Sequence, residues 1–302
     1  MTEPPLQPSI SEAAVIPELT ERRRPSDPTR DYCLWDFQMP VAPAAGALRT
    51  SALLYQSFAV AGITDKMRPV MQAIQDRWGK FNTVWGVKCA DGQMSWEFYF
   101  YDYTRDGRAH GVSDFIDATQ GLITCDVTPQ DALPYFMFSV ELTADNLNGA
   151  PLDQIDLYMG NPGSTVSSGI CYGLRNEGLE MRNFYFFFNA ATERQQITDK
   201  ITESVHFPYK TVDLDTLLWP EMAGVETIVV ANKRFRDSIY FSRIRASQML
   251  GFIEKLGFPN GVSDHLRDNQ HLFDHHLFDV GWDFDYVDGQ IHPVKGSYYG
   301  LL

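Results

Sequence analysis

The chain is short of cysteine, basic charge and long apolar runs, and each shortage removes a class of protein. Of 302 residues only four are cysteines, Cys33, Cys89, Cys125 and Cys171. They are far apart and form no C-x-x-C pair, so neither a disulfide framework nor a zinc ribbon is indicated, and reduced thiols in a cytoplasmic protein are expected. Lys and Arg number 25 against 39 Asp and Glu, a formal net charge of −14. Such a surface repels a phosphate backbone, which argues against nucleic acid as a partner. No apolar run approaches the roughly 18 residues of a membrane span, and the N-terminus lacks the basic-then-apolar order of a signal peptide. G-x-G-x-x-G after a strand, Walker A and G-x-S-x-G are all missing, which disfavours dinucleotide, NTPase and α/β-hydrolase readings.

Aromatic side chains are abundant, with 20 Phe, 14 Tyr and 6 Trp. Residues 1–45 are rich in proline and charge and are expected to form a partly disordered arm, with 46–302 as a single domain. From Thr64 the spacing of Met67, Val70, Met71, Ile74 and Trp78 predicts a helix stopped at Gly79. The period then changes to two. TVWGVKC and MSWEFYFYDY flank Asp91-Gly92, a hairpin turn signal. Four further strand pairs follow, around Asn148-Gly149, RNEG, RFRD and Asp288-Gly289. Between them lie shorter helices: one capped by Ser113, one opened by a Thr192/Gln195 capping box with Ile197, Ile201 and Val205 buried, and one on Met249, Leu250, Ile253 and Leu256. Five hairpins make about ten strands. Many are apolar on both faces, so both faces must be covered, and closure into a barrel achieves this while removing the edges. The expected fold is α+β: a closed ten-stranded antiparallel β-barrel ringed by α-helices.

The order of TVWGVKCADGQMSWEFYF, EMRNFYFFFNAATERQQITDKI and VKGSYYG along the chain resembles the αββα-barrel (ABBA) aromatic prenyltransferases, over about residues 60–302. The resemblance implies transfer of an allylic prenyl group from its diphosphate to an electron-rich aromatic acceptor, such as a phenol or an indole. Such chemistry needs cations or a metal at the pyrophosphate, π faces around the carbocation, shelter from water, and a base for the aromatic proton.

Strand alternation proposes the lumen faces. Lys88, among apolar neighbours, needs an anion or a carboxylate partner, or must reach solvent by its stem; the resemblance puts a diphosphate contact there. Glu97 shares a face with Tyr99 and Tyr101; it resembles an acidic family position that holds magnesium in some members, and is the catalytic candidate, the plain alternative being a structural ion pair. Asn183, Tyr185 and Phe187 share a face, Asn183 and Tyr185 matching positions that meet the diphosphate and shield the prenyl chain; a buried, hydrogen-bonded asparagine is the alternative. The resemblance adds Tyr158, Tyr240, Arg243, Lys295 and Tyr298 as substrate-binding residues. Departures accompany it. Asp156 stands where the family has a cation, a family arginine position falls on Ser238 with Arg236 and Arg243 nearby, and Lys295 is one place out of register unless a bulge at Pro293 redirects it. The run HLRDNQHLFDHH, read as a polar connection, offers His271 and His275 at i, i+4 as a competing metal pair. A non-catalytic barrel binding a hydrophobic small molecule explains the aromatic content equally well.

Overall fold

A computed structural model describes residues 16–105, 107–161, 166–206 and 213–302. The strands are β1 (Thr83–Ala90), β2 (Gln93–Tyr101), β3 (Met137–Leu142), β4 (Ile155–Gly160), β5 (Ser168–Arg175), β6 (Gly178–Asn189), β7 (Thr227–Lys233), β8 (Asp237–Ile244), β9 (Phe278–Val287) and β10 (Gln290–Leu301). Each pairs antiparallel with its chain neighbours, and β1 pairs with β10, so the sheet closes into a ten-stranded barrel. All five expected hairpins are present. Asp91 and Gly92 both have positive φ, as do Asp288 and Gly289, the conformation that an Asp-Gly turn favours.

Eight helices lie among the described residues: α1 (Ser51–Ala61), α2 (Thr64–Trp78), α3 (Val112–Ala118), α4 (Ala144–Leu147), α5 (Arg194–Thr202), α6 (Asp215–Leu218), α7 (Ala246–Lys255) and α8 (Asn260–Phe273). The main apolar core lies between helices and the outside of the barrel. Met67, Val70, Met71 and Ile74 bury the stripe of α2, and Trp85, Trp96, Phe98 and Trp282 face outward from their strands into this layer. Trp96 meets Phe58 edge-on, and its indole N–H donates to Ser57 Oγ at 2.8 Å. With the bulk of the apolar core outside, the lumen is free to be polar. Among the described residues no helix is long and apolar enough to cross a membrane, and all four cysteines are free.

Several local expectations are corrected. Ser113 lies inside α3; the helix start is held by Asp131, which accepts from the N–H groups of Val112 and Ser113, and by Asp114, which accepts from Gly111 N–H. No Thr192/Gln195 box forms, because Asn189 takes the Thr192 N–H and hydroxyl while Gln195 donates to Asp199. Val205 falls beyond the end of α5 and is 92% exposed. The HLRDNQHLFDHH run is mostly helix, since Val262, Leu266 and Phe273 give α8 a buried face. The helix ends at Phe273, so His271 and His275 lose their helical spacing, and no metal-binding cluster of His, Cys, Asp or Glu stands among the described residues. His275 and His276 are buried, and burial lowers them to about 4 and about 3.

The described part of the N-terminal arm is packed against the barrel. Arg49 bonds Asp27 at 2.6 Å and also pairs with Glu21, and Tyr32, Cys33 and Trp35 line one end of the barrel. The start of the arm, residues 1–15, lies outside the described residues.

Candidate functional site: a divided lumen

The lumen holds two chambers. The upper, of about 710 Å³, opens at the hairpin-turn end and is lined by polar and charged groups. The lower, of about 240 Å³, lies toward residues 31–37. Tyr99, Tyr158, Tyr185, Tyr240 and Tyr299 line both. Their ring centroids follow one another at 6.4, 6.0, 6.0, 6.4 and 5.9 Å, closing a circuit of five. This iris follows from the sequence. The tyrosines come from β2, β4, β6, β8 and β10. Directly across from them in register lie small residues of the odd strands: Ser139, Cys171, Ala231, Gly281 and Gly86. Large and small thus alternate around the barrel. At Gly281 a Cβ would fall 2.2 Å from the Tyr240 ring, and at Gly86 one would fall 2.7 Å from that of Tyr299.

Gly281→Ala therefore displaces Tyr240 and should cost about 1–3 kcal/mol in urea unfolding. Tyr240→Leu in the same chain should recover most of the loss, since it removes the atoms in collision. Strict additivity of the two substitutions would show that the alternation is not a packing requirement.

Above the iris three lysines and three carboxylates fall on adjoining arcs of the wall, with Asp283 of β9 among the lysines. Lys88, Lys233 and Lys295 come from β1, β7 and β10; Glu97, Glu141 and Asp156 from β2, β3 and β4. Lys88 Nζ sits 2.5 Å from Glu97 and 2.6 Å from Glu141. Burial alone would lower Lys88, but those carboxylates outweigh it and hold it well above its ordinary value. Burial would likewise raise Glu141, yet Lys88 and Lys295 bring it down to about 2. Asp283 accepts from Lys233 at 2.8 Å and from Ser238 Oγ at 2.5 Å, and lies 3.2 Å from Lys295; the lysines override its burial and depress it. Burial and then Glu97 raise Asp156, moving it toward its neutral form. The five iris hydroxyls are all pushed upward by burial and stay protonated.

Of the ten residues expected to form the site, eight line the upper chamber: Lys88, Glu97, Tyr99, Tyr158, Asn183, Tyr185, Tyr240 and Lys295. Lys295 does so because the β9–β10 register shifts between Pro293 and Lys295, the bulge its placement required. Asn183 donates to the Tyr185 hydroxyl at 3.0 Å. Two expectations are corrected. Tyr298 points outward, packing edge-on against Trp85 and against Phe258; its neighbour Tyr299 is the one inside. Arg243 lies at the opposite end of the barrel, where a register shift and a positive φ of 64° turn it toward Asp31 and Glu226. The sequence reading missed Glu141, Lys233, Asp283 and Tyr299.

Glu97 does not fit the magnesium role suggested for it. One carboxylate oxygen accepts from Ser139, and the other from Tyr99 with Lys88 beside it. Both oxygens are engaged.

A closed ten-stranded antiparallel barrel ringed by helices is the αββα prenyltransferase barrel. Among solved structures, the crystal structure of NotF prenyltransferase is similar, with a TM-score of 0.54 and 10% identity, covering 82% of this chain and 92% of that one. At that identity the likeness is one of fold. No family model matches the chain, and no curated protein matches it.

Proposed function

We propose that the protein is an aromatic prenyltransferase, moving an allylic group from its diphosphate to an electron-rich aromatic ring. The observation that carries this reading is the closed iris of tyrosines directly beneath three converging lysines. Lys88, Lys233 and Lys295 neutralise the diphosphate in the upper chamber. The allylic C–O bond breaks with its electron pair leaving on the diphosphate, and the carbocation lies among the tyrosine faces, which attract it without capturing it as water would. A π pair of the acceptor forms the new C–C bond. The proton released from the ring goes to the Tyr99 hydroxyl oxygen as that hydroxyl passes its own proton to Glu97, to which it already donates. Burial and then Glu97 raise Asp156, so acidification removes its opposition to the diphosphate sooner than for a free carboxyl. The lysines, with Glu97 already engaged, supply the neutralisation that a metal would otherwise provide.

The test is calorimetric binding of dimethylallyl and geranyl thiodiphosphates with magnesium and with EDTA, followed by transfer from the parent diphosphates to a panel of phenols and indoles. Donor binding that survives EDTA, with turnover on at least one acceptor, is expected. Absence of donor binding under both conditions overturns the reading. The pairing of every one of these lysines with a carboxylate favours the second reading, a barrel that binds a neutral hydrophobic molecule without catalysis. That reading then takes its place.

A further inference from the structure

The lower chamber has no part in the chemistry just described. Its walls are carried by Val84, Phe136, Met137, Phe187 and Val229, under the iris. Tyr32, Cys33 and Trp35 of the N-terminal segment form its floor. Two of the hydroxyls around it are already committed. The Tyr101 hydroxyl donates to the Tyr32 carbonyl and the Tyr103 hydroxyl to the Cys33 carbonyl at 2.9 Å. Arg105 lies over the Phe136 ring. The hydroxyls of Tyr32 and Ser168 have no partner among the described residues and are shut off from solvent. Most of the surface left for an occupant is apolar, with Arg105 at its margin.

Size and access agree with this. An engineered apolar cavity of about 150 Å³ stays dry and takes up benzene, so 240 Å³ accommodates something larger, of the order of one or two five-carbon units. Neighbouring iris centroids are 5.9–6.4 Å apart, which in an idealised pentagon sets each roughly 5 Å from the axis. Rings turned face-on to the axis at that radius would leave room for an alkyl chain to pass.

We infer that the lower chamber receives the distal part of the donor's hydrocarbon chain, threaded through the iris, so that the protein selects allylic diphosphates longer than five carbons. The inference rests on the transferase reading for the diphosphate end and on the lower chamber for the rest. An aromatic acceptor bearing polar groups would strand them there, whereas a branched alkene chain strands nothing.

The experiment measures binding of unreactive five-, ten- and fifteen-carbon allylic thiodiphosphates to the full-length protein by calorimetry. The ten-carbon donor should bind at least tenfold more tightly than the five-carbon one. In Val229→Phe, which fills the chamber, the ten-carbon donor should fall to the level of the five-carbon donor in the same variant. Should Val229→Phe fail to fold, Trp35→Ala provides the second variant: opening the floor should make the fifteen-carbon donor the tightest of the three. Equal affinity across all lengths overturns the inference and leaves the transferase reading intact. If the ten-carbon allylic alcohol binds more tightly than the five-carbon alcohol and the diphosphate adds nothing, the lower chamber stands and the transferase reading falls.

Discussion

Lys88→Met should destabilise the protein by about 3 kcal/mol at pH 7, because it strands the buried Glu97 beside Glu141 with no cation between them. The loss should shrink on acidification, and the sign follows from Glu141. Its folded-state pKa is depressed to about 2, so it contributes stability above its unfolded value near 4.3 that is lost as pH falls toward 2. The variant has forfeited that contribution already, so parent and variant draw together as pH falls from about 4.3 toward 2. Urea unfolding at pH 7 and pH 3.5 reads the difference, and an equal gap at both pH values would refute it. Lys88→Met with Glu97→Gln should recover most of the stability. In that folded background the prenyl thiodiphosphate should still bind roughly ten- to a hundredfold more weakly than to the parent, the worth of one charge-assisted contact. Unchanged donor affinity would remove Lys88 from the diphosphate site.

Arg243→Met should loosen the floor of the barrel. Arg243 reaches Asp31 through Nε at 3.2 Å and Nη2 at 3.1 Å, and Glu226 through Nη1 at 2.7 Å. Asp31 in turn accepts from the N–H groups of Cys33 and Trp35, and Asp279 accepts from that of Tyr32. Removing the guanidinium leaves a buried carboxylate uncompensated, at a cost of about 3 kcal/mol. The effect should be local, and hydrogen exchange should show the amides of residues 32, 33 and 35 losing protection while the strands of the barrel keep theirs. Its pH dependence runs opposite to that of the lysine variant. Burial, and then Asp31, raise Asp279 to about 7, so its contribution is fully present below the unfolded value near 3.9 and is lost as pH rises through 7. Protection of the floor in the parent, corrected for intrinsic exchange, should therefore be greater at pH 5 than at pH 8. A floor that stays protected in the variant at pH 8 would mean that Arg243 is dispensable there.

The barrel was readable because its signals are local. Asp-Gly turns and period-two aromatics mark each hairpin, and alternation sorted β2 and β6 correctly, putting Glu97 with Tyr99 and Asn183 with Tyr185. The site was readable only where a single strand contains the answer. Lys233 and Asp283 were not picked out, since nothing local says that β7 and β9 bring them within 2.8 Å of each other. Arg243 was misplaced because it was carried over from the resemblance, whose arginine position falls on Ser238; five residues further along β8, past a register shift, Arg243 stands at the opposite end of the barrel. Tyr298 carried its own contradiction. Three positions separate it from Lys295, and in an unbroken strand residues an odd number apart face opposite sides. With Lys295 inside, Tyr299 and not Tyr298 had to be inside too. Gly86 and Gly281 also had a legible signal, for a glycine within a strand marks a close approach, here of a tyrosine ring.

The sorting of charge around the upper wall sets the chamber off centre. Neighbours in the barrel run β7, β8, β9, β10, β1, so the three lysines share one arc with the single carboxylate of Asp283, while Glu97, Glu141 and Asp156 occupy the adjoining one. The iris, built from every second strand, has no such preferred side. An anion drawn to the lysines is thus held eccentrically above an opening that is central, and any chain attached to it must slant inward to reach the axis. That tilt gives a bound donor one azimuth out of the full circle, and turns its exposed flank toward the wall that holds Glu97.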